Sequence, residues 1–212
     1  FNLPKVENLA DLATMKLELD KIKLPAIKIV LTGTGKVAQG AKEILDYLKI
    51  KEVSVSDYLS KKYDEVVFCQ IDVEDYNQRS DGSAFNKSEF FKNPIGYESN
   101  FMRFAKVTDM FIAGHFYGDN APYLFTREDA KHPDFKINLI GDISCDIDGP
   151  VASTLRASTI ADPFYAYDPQ HEKEVPFKTK NTITVMAVDN LPCELPKDCL
   201  LYTSPSPRDG LL

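Results

Sequence analysis

IKIVLTGTGKVA, at residues 27–38, is the stretch of sequence that decides the fold. Its β-branched beginning, residues 27–31, predicts a short buried strand that runs directly into a glycine-containing turn at residues 32–35. Residues 36–48 then place apolar side chains on one helical stripe, and residues 52–57 predict a second strand. A strand, turn, helix and strand in this order predict parallel strands joined by a right-handed crossover.

The alternation of strands and helices continues along the chain. Further strands are predicted at residues 65–71, 110–114, 137–143 and 182–188, and helices at residues 5–21 and 97–106. Residues 72–96 are predicted to form a long loop with a helical turn near residues 88–91, and residues 144–181 are predicted to be irregular. The whole pattern predicts an α/β fold of Rossmann type, a doubly wound, mostly parallel sheet with helices on both faces.

The turn after the first strand fits the pattern G-x-G-x-x-G/A, which binds the pyrophosphate of dinucleotides. Gly33 permits the tight turn, Gly35 lets a phosphate approach the backbone, and Ala38 is small enough for a helix to pack on a strand. The following helix directs its free N–H groups and positive dipole end at the phosphates. A plain glycine turn is the alternative. The predicted cofactor-binding residues are Gly33, Thr34, Gly35, Lys36, Val37 and Ala38.

An acidic residue, Asp57, ends the predicted second strand, 24 positions after Gly33. An acid near this spacing bonds the hydroxyls of the adenosine ribose and repels a 2′-phosphate, so NAD is the predicted cofactor. NADP is the alternative cofactor, because Lys61 and Lys62 lie close by. The alternative role for Asp57 is to cap the next helix at the surface.

Two later segments bring polar residues to the ends of predicted strands, where an open sheet binds ligands. Residues 141–150 (GDISCDIDGP) contain three acids, whose alternation with apolar residues favours a strand exit over a metal site. Residues 187–192 (AVDNLP) follow the last strand, and Asn190 offers the donors and acceptor that suit a carboxamide. For each segment the alternative is a turn held by Asx hydrogen bonds.

The composition limits the classes of partner. The chain has 212 residues and a formal net charge of −7, which argues against the basic face that nucleic-acid binding requires. Its apolar runs fall short of the roughly 18–20 residues of a membrane span, so no membrane partner is expected. Four cysteines without a C-x-x-C pair and three histidines without ligand spacing predict free thiols in a reducing cytoplasm and no metal.

Four ordered segments, TGTGKVAQGA, GDISCDIDG, RASTIADPFYAYDP and AVDNLPCELP, make the chain resemble the alanine dehydrogenase and pyridine nucleotide transhydrogenase superfamily. Within it, residues 7–198 are most similar to lysine–2-oxoglutarate reductase and lysine-forming saccharopine dehydrogenase. The resemblance implies an NAD(P)-dependent oxidoreductase that converts saccharopine, NAD and water into lysine, 2-oxoglutarate and NADH. Alanine dehydrogenase and a non-catalytic NAD-binding module are the alternatives.

The resemblance also implies roles for individual residues. Asp146 matches an aspartate near the nicotinamide and substrate and is the predicted catalytic residue, and Arg156 matches an arginine that is predicted to bind substrate. His115 lies where a strand-end residue faces the cofactor, and the alternative is a loop histidine without a role. The loop that lines the nicotinamide side is matched by Asp189, Asn190 and Leu191.

In that family a second domain closes over the substrate and supplies the lysine and histidine that act as acid and base. The resemblance therefore predicts a connecting helix from a missing N-terminal substrate domain at residues 1–25 and the Rossmann domain at residues 26–198. Residues 199–212, which continue no periodicity, are predicted to be a non-native or disordered tail. The chain is expected to bind the cofactor without turnover, and its parent protein to take a small amino-acid substrate.

Overall fold

A computed structural model describes residues 3–118 and 120–203. The strands within these residues are β1 Lys28–Thr32, β2 Lys51–Glu52, β3 Val67–Ile71, β4 Asn77–Arg79, β5 Tyr97–Ser99, β6 Met110–Ala113, β7 Leu139–Asp142, β8 Phe164–Asp168, β9 Lys173–Val175 and β10 Ile183–Met186. The α-helices are α1 Leu12–Leu19, α2 Lys36–Tyr47, α3 Val55–Ser60, α4 Val73–Tyr76, α5 Lys87–Lys92, α6 Met102–Ala105, α7 Arg127–Lys131 and α8 Pro196–Thr203. Short 3-10 helices lie at Val6–Asn8 and Leu191–Glu194.

The main sheet has eight strands in the order β2-β3-β1-β6-β7-β10-β8-β9. The six strands from β2 to β10 are parallel, and β8 and β9 extend one edge in the antiparallel sense. β4 and β5 form a separate antiparallel pair. The chain leaves β1 toward β3 on one side and toward β6 on the other, so the strand order reverses at β1. This sheet confirms the predicted Rossmann-type α/β fold.

Helices cover both faces of the sheet. The side chains of β1 point alternately to the two faces, and both sets are buried. Ile29 and Leu31 lie in one buried apolar cluster with Leu45 of α2. Val30 lies in the other cluster, together with Phe104 of α6. A central strand that is buried on both sides reads as a continuous apolar run, which is the pattern in the sequence.

The predicted second strand at residues 52–57 is wrong. The strand there is only β2, Lys51–Glu52, and it pairs with β3 at the outer edge of the sheet rather than with β1. Ser54 then caps α3, its hydroxyl accepting from the backbone N–H of Asp57 at 3.2 Å. Consequently β3, and not the strand nearest in sequence, lies beside β1.

Two other local predictions also fail. The predicted helix at residues 97–106 is strand β5 followed by the short helix α6, and the segment predicted as irregular contains β8 and β9. Each of these strands is specified by pairing with a partner strand rather than by its own periodicity. The helical turn predicted near residues 88–91 is present as α5.

The two ends of the described chain lie together. The predicted helix at residues 5–21 is shorter than expected, since α1 begins after its cap, Asp11. Asp11 also pairs with Lys197 at 2.7 Å, and the backbone N–H of Leu12 donates to Asp198 at 2.8 Å. Helix α8 crosses the predicted boundary at residue 199, and residues 204–212 of the predicted tail lie outside the described residues.

Candidate cofactor site at the carboxyl edge of the sheet

The glycine turn lies at the carboxyl end of β1 and is held there by β3. The backbone N–H of Gly33 donates to the carbonyl of Ile71 at 2.9 Å, and the side-chain amide of Gln70 donates to the carbonyl of Gly33 at 2.9 Å. Gly33 has φ +91°, where side chains are strained, and a Cβ there would meet the carbonyl oxygen of Gly114 at 2.7 Å. Only glycine fits this position, as the phosphate-turn pattern requires.

Gly35 is the residue that leaves room for a ligand. It caps α2 with extended backbone, and a Cβ built on it would meet no described atom within 4 Å. The first N–H group bonded within the helix is that of Gln39, which donates to the carbonyl of Gly35 at 2.9 Å. The N–H groups of residues 36–38 therefore remain for an anion at the positive end of the helix dipole.

Ala38 and Gly114 bring α2 close to the end of β6. Ala38 is fully buried, and a Cβ on Gly114 would lie 3.1 Å from the Cα of Ala38. This close approach fixes the start of the helix over the sheet edge, so the open N–H groups of α2 are held in place.

His115 follows β6 and is 7% exposed. Its Nδ1 shares a hydrogen bond of 2.8 Å with the hydroxyl of Thr32, and the edge of the Tyr76 ring lies against it with centroids 6.0 Å apart. Its Nε2 is buried without a hydrogen-bond partner among the described residues. Burial lowers the pKa of His115 to about 4, so the imidazole is neutral at physiological pH.

Asp57 lies away from the glycine turn. It is in the first turn of α3 and forms an ion pair with Lys61 at 2.9 Å, both side chains being exposed. The acid at the carboxyl end of the strand beside β1 is instead Asp72, which follows β3. The hydroxyl of Thr34 lies 3.5 Å from its carboxylate. The prediction for Asp57 assumed an acid at the carboxyl end of the strand next to β1, and Asp72 is the residue at that position.

Together these elements enclose a cavity of about 410 Å³. It spans the carboxyl ends of β3, β1 and β6. Helix α5 contributes Lys87 and Phe91 to its wall. Lys87 forms an ion pair with Asp72. Burial by itself raises the pKa of Asp72, but the contact with Lys87 and the hydrogen bond from the backbone N–H of Val73 outweigh it, so the pKa lies below its usual value. The predicted residues in the lining are Gly33, Thr34, Gly35, Lys36, Val37 and His115.

The acids predicted after β7 have different environments. Asp142 is fully buried and accepts hydrogen bonds from the hydroxyls of Ser144 at 2.5 Å and Thr154 at 2.6 Å and from the backbone N–H of Cys145 at 3.1 Å. Asp146 is exposed, yet desolvation of its carboxyl group and the charge of Asp142 raise its pKa. Asp142 therefore shapes the loop, while Asp146 remains available on it.

The loops after β7 and β10 are connected. The thiol of Cys145 lies 3.1 Å from the carbonyl oxygen of Ala187, and desolvation together with the carboxylates of Asp142, Asp189 and Asp146 raises the pKa of this thiol. Asp189 and Asn190 are exposed beyond β10. The structure thus brings the segments of Asp146 and Asp189 together at the same sheet edge as the glycine turn, although neither lines the cavity.

Leu191 and Arg156 lie elsewhere. Leu191 begins a 3-10 helix and lines an apolar groove against Val6 of the N-terminal segment. Arg156 forms a two-pronged ion pair with Glu174 on β9, at 2.7 and 2.8 Å. Its guanidinium also lies 4.8 Å from the centroid of the Tyr165 ring. These contacts hold β8 and β9 to the preceding loop, and the role of Arg156 in substrate binding stays a prediction.

The rest of the described chain adds three observations. The thiols of Cys69, Cys145 and Cys193 are free. Across residues 3–118 and 120–203, no group of three His, Cys, Asp or Glu side chains has the arrangement of a metal site. Within those same residues, no helix combines the length and apolar character needed to cross a membrane.

Comparison with known proteins finds relatives with one shared name. The chain resembles alpha-aminoadipic semialdehyde synthases. The mitochondrial enzyme of Bos taurus is 30% identical over 202 residues, which cover 83% of this chain and 21% of the relative, and that of Mus musculus is 29% identical with the same coverage. The enzyme of Arabidopsis thaliana is 27% identical over 189 residues. The chain spans about a fifth of the length of the mammalian relatives, and no family model matches it.

Proposed function

We propose that this chain is the nicotinamide-cofactor domain of an oxidoreductase in lysine metabolism. The observation that carries the proposal is the cavity at the strand-order reversal, built from Gly33 with its positive φ, an open Gly35 and the start of α2. Ligands of open α/β sheets bind at this position. The similarity to alpha-aminoadipic semialdehyde synthases over 83% of the chain supports the metabolic assignment.

The residues present fit a dinucleotide. The N–H groups of residues 36–38 would bind its pyrophosphate, since Gly35 leaves the approach open. The buried Nε2 of His115 is an unused acceptor or donor for a cofactor hydroxyl. When bound, a nicotinamide cofactor supplies or accepts the hydride.

We assign the ribose-binding acid to Asp72 rather than to Asp57. Asp72 follows the strand beside β1 and lines the cavity, whereas Asp57 is paired with Lys61 on the exposed helix α3. Its carboxylate would accept hydrogen bonds from the ribose hydroxyls. NAD stays the proposed cofactor, with NADP as the alternative.

The loops after β7 and β10 would serve the reacting end of the cofactor. Asp189 and Asn190 would contact the carboxamide and its surroundings, because Asn offers both a donor and an acceptor. Asp146 would hold or accept a proton at the substrate nitrogen, and its raised pKa favours such a role over that of an ordinary surface carboxylate.

Two reactions on a carbon–nitrogen bond fit this assignment. The first is the oxidation of saccharopine with NAD and water to lysine, 2-oxoglutarate and NADH. The second is the oxidation, with NAD and water, of the other carbon attached to the secondary amine, which yields α-aminoadipic semialdehyde, glutamate and NADH. The name of the relatives favours this second reaction. The cytoplasmic location that the cysteines indicate stays a prediction. The mammalian relatives are named mitochondrial.

Cofactor binding is tested by titrating the chain with NADH and NADPH and following nicotinamide fluorescence. Saturable binding that Gly35→Ala weakens at least about tenfold, with unchanged circular dichroism, supports the proposal. No saturable binding to the folded chain would refute it. The reaction is tested in the whole parent enzyme with saccharopine and with alanine. Oxidation of alanine but not of saccharopine would assign the alanine dehydrogenase branch. Cofactor binding without turnover of saccharopine or alanine would favour a non-catalytic NAD-binding module.

A further inference from the structure

The segment between β3 and α6 builds one wall of the cavity. After Asp72 and α4, the chain forms the β4–β5 pair and presents α5 between these two strands. Helix α5 directs two side chains into the cavity lining, Lys87 and Phe91. Phe91 is 56% exposed, which leaves its ring surface available to a ligand. This wall faces the end of the cavity where Asp72 lies.

Helix α5 is fixed rather than loosely attached. Asn86 caps it by accepting from the backbone N–H of Glu89 at 3.1 Å, and the hydroxyl of Tyr97 donates to the carbonyl of Asn86 at 3.2 Å. Arg79 of β4 donates to the carboxylate of Glu89 at 2.7 Å. Because the helix is tied to both strands, Lys87 is held beside the cavity before any ligand arrives.

Lys87 is paired with Asp72, the residue that we assign to the adenosine ribose. The side chains of Lys87 and Asp72 are 43% and 26% exposed, so the pair lies at the surface of the cavity and not beneath it. Asp72, Glu74 and Asp75 raise the pKa of Lys87 and keep its ammonium group charged. A carboxylate alone at this position would repel a 2′-phosphate, but an ammonium group beside it offsets that repulsion and can donate to phosphate oxygens.

We propose that the Lys87–Asp72 ion pair sets the response of this site to the 2′-substituent of the cofactor, with Asp72 accepting from a 2′-hydroxyl and Lys87 donating to a 2′-phosphate. The inference rests on the proposed cofactor site and adds its specificity residue. On this inference, Asp72 serves the proposed cofactor NAD, and one lysine from α5 carries whatever affinity the site has for the alternative, NADP.

The test compares ADP-ribose with 2′-phospho-ADP-ribose, which differ only in the 2′-phosphate, by isothermal titration calorimetry on the full chain. Lys87→Gln is expected to weaken binding of the phosphorylated ligand about tenfold or more, which is the worth of one charge-assisted hydrogen bond, and to leave ADP-ribose within about twofold. Asp72→Asn is expected to weaken binding of ADP-ribose relative to binding of 2′-phospho-ADP-ribose. Lys87→Arg retains the charge and should preserve binding of the phosphorylated ligand.

Lys92→Gln is the matched control, because it removes the same charge from the same helix at a residue outside the cavity lining. An equal loss for both ligands in Lys87→Gln, with a lower melting temperature, would show a structural tether and overturn the inference alone. The inference would also be overturned if Lys87→Gln left the ratio of the two affinities unchanged, or if Lys92→Gln changed that ratio by the same factor. Binding of neither ligand by the wild-type chain would overturn the proposed function together with the inference.

Discussion

Replacing each glycine of the phosphate turn by alanine should separate stability from binding. Gly33→Ala places a Cβ at φ +91°, 2.7 Å from the carbonyl oxygen of Gly114 and 2.9 Å from the Cα of His115. Gly35→Ala places a Cβ in open space on backbone with φ −76°. The first change therefore perturbs the protein itself, while the second perturbs only the volume that the cofactor phosphates would occupy.

The expected loss of stability in Gly33→Ala has two parts. A non-glycine residue in left-handed backbone costs about 1–2 kcal/mol, and forcing a methyl group against fixed backbone costs about 1–3 kcal/mol. A total near 3 kcal/mol lowers the melting temperature of a chain of this length by roughly 6–12 °C. Gly82 also has a positive φ, +75°, with no described atom within 4 Å of its Cβ position. Gly82→Ala should therefore cost only the first part, about 1–2 kcal/mol.

Urea denaturation gives the free energy of unfolding of each variant, and NADH titration gives its affinity for the cofactor. The free energy of unfolding of Gly35→Ala should lie within about 1 kcal/mol of that of the wild type, since only a glycine cap is lost. The same variant should bind NADH at least about tenfold more weakly. Equal stability of Gly33→Ala and Gly82→Ala would show that contact with Gly114 is unimportant. Wild-type NADH affinity in Gly35→Ala would show that the phosphates do not lie on this turn.

Three further changes have defined outcomes. Since burial lowers the pKa of His115 to about 4, the unfolded chain binds more protons between pH 4 and 6.5, and the free energy of unfolding should fall by up to about 3 kcal/mol as the pH falls through that range. His115→Gln should remove that contribution from the pH series, and an unchanged series would contradict the buried neutral imidazole. Thr154→Val leaves the buried carboxylate of Asp142 with one hydrogen bond fewer and should cost about 1–3 kcal/mol in urea denaturation, whereas an unaffected midpoint would mean that Ser144 and Cys145 suffice. Asp146→Asn should leave the Kd for NADH within about twofold and reduce turnover of the parent enzyme at least about tenfold, and retained turnover would exclude a proton-transfer role.

The sequence was sufficient to predict the centre of the sheet and the glycine turn. A β-branched run, two glycines and an amphipathic helix are local signals, and each is dictated by backbone sterics or by burial at that point of the chain. Gly33 has the positive φ and Ala38 the complete burial that their places in the pattern require. The sequence did not predict β8, β9 or the β4–β5 pair, because distant pairing specifies these strands, and it misplaced the bounds of β2.

The prediction of Asp57 as the ribose acid assumes that the second strand in sequence lies beside the first. Here the chain makes the short edge strand β2 first and returns to β1 only with β3. A usable signal existed, since Asp72 directly follows the apolar run at residues 65–71. The contribution of Lys87 and Phe91 had no such signal, because it depends on how the β4–β5 pair orients α5 against the sheet edge.

The order of the strands also separates the proposed site residues into two groups. Asp72 and Asp146 follow strands β3 and β7, which are three strand spacings apart, about 14 Å. A ligand that begins at Asp72 and crosses Gly35 reaches the loop of Asp146 only with its far end, and the thiol of Cys145 against the carbonyl of Ala187 keeps that loop beside the one of Asp189. Substitutions near β3 should therefore change affinity for the adenosine half of the cofactor, and substitutions after β7 and β10 should change catalysis while binding of ADP-ribose is retained.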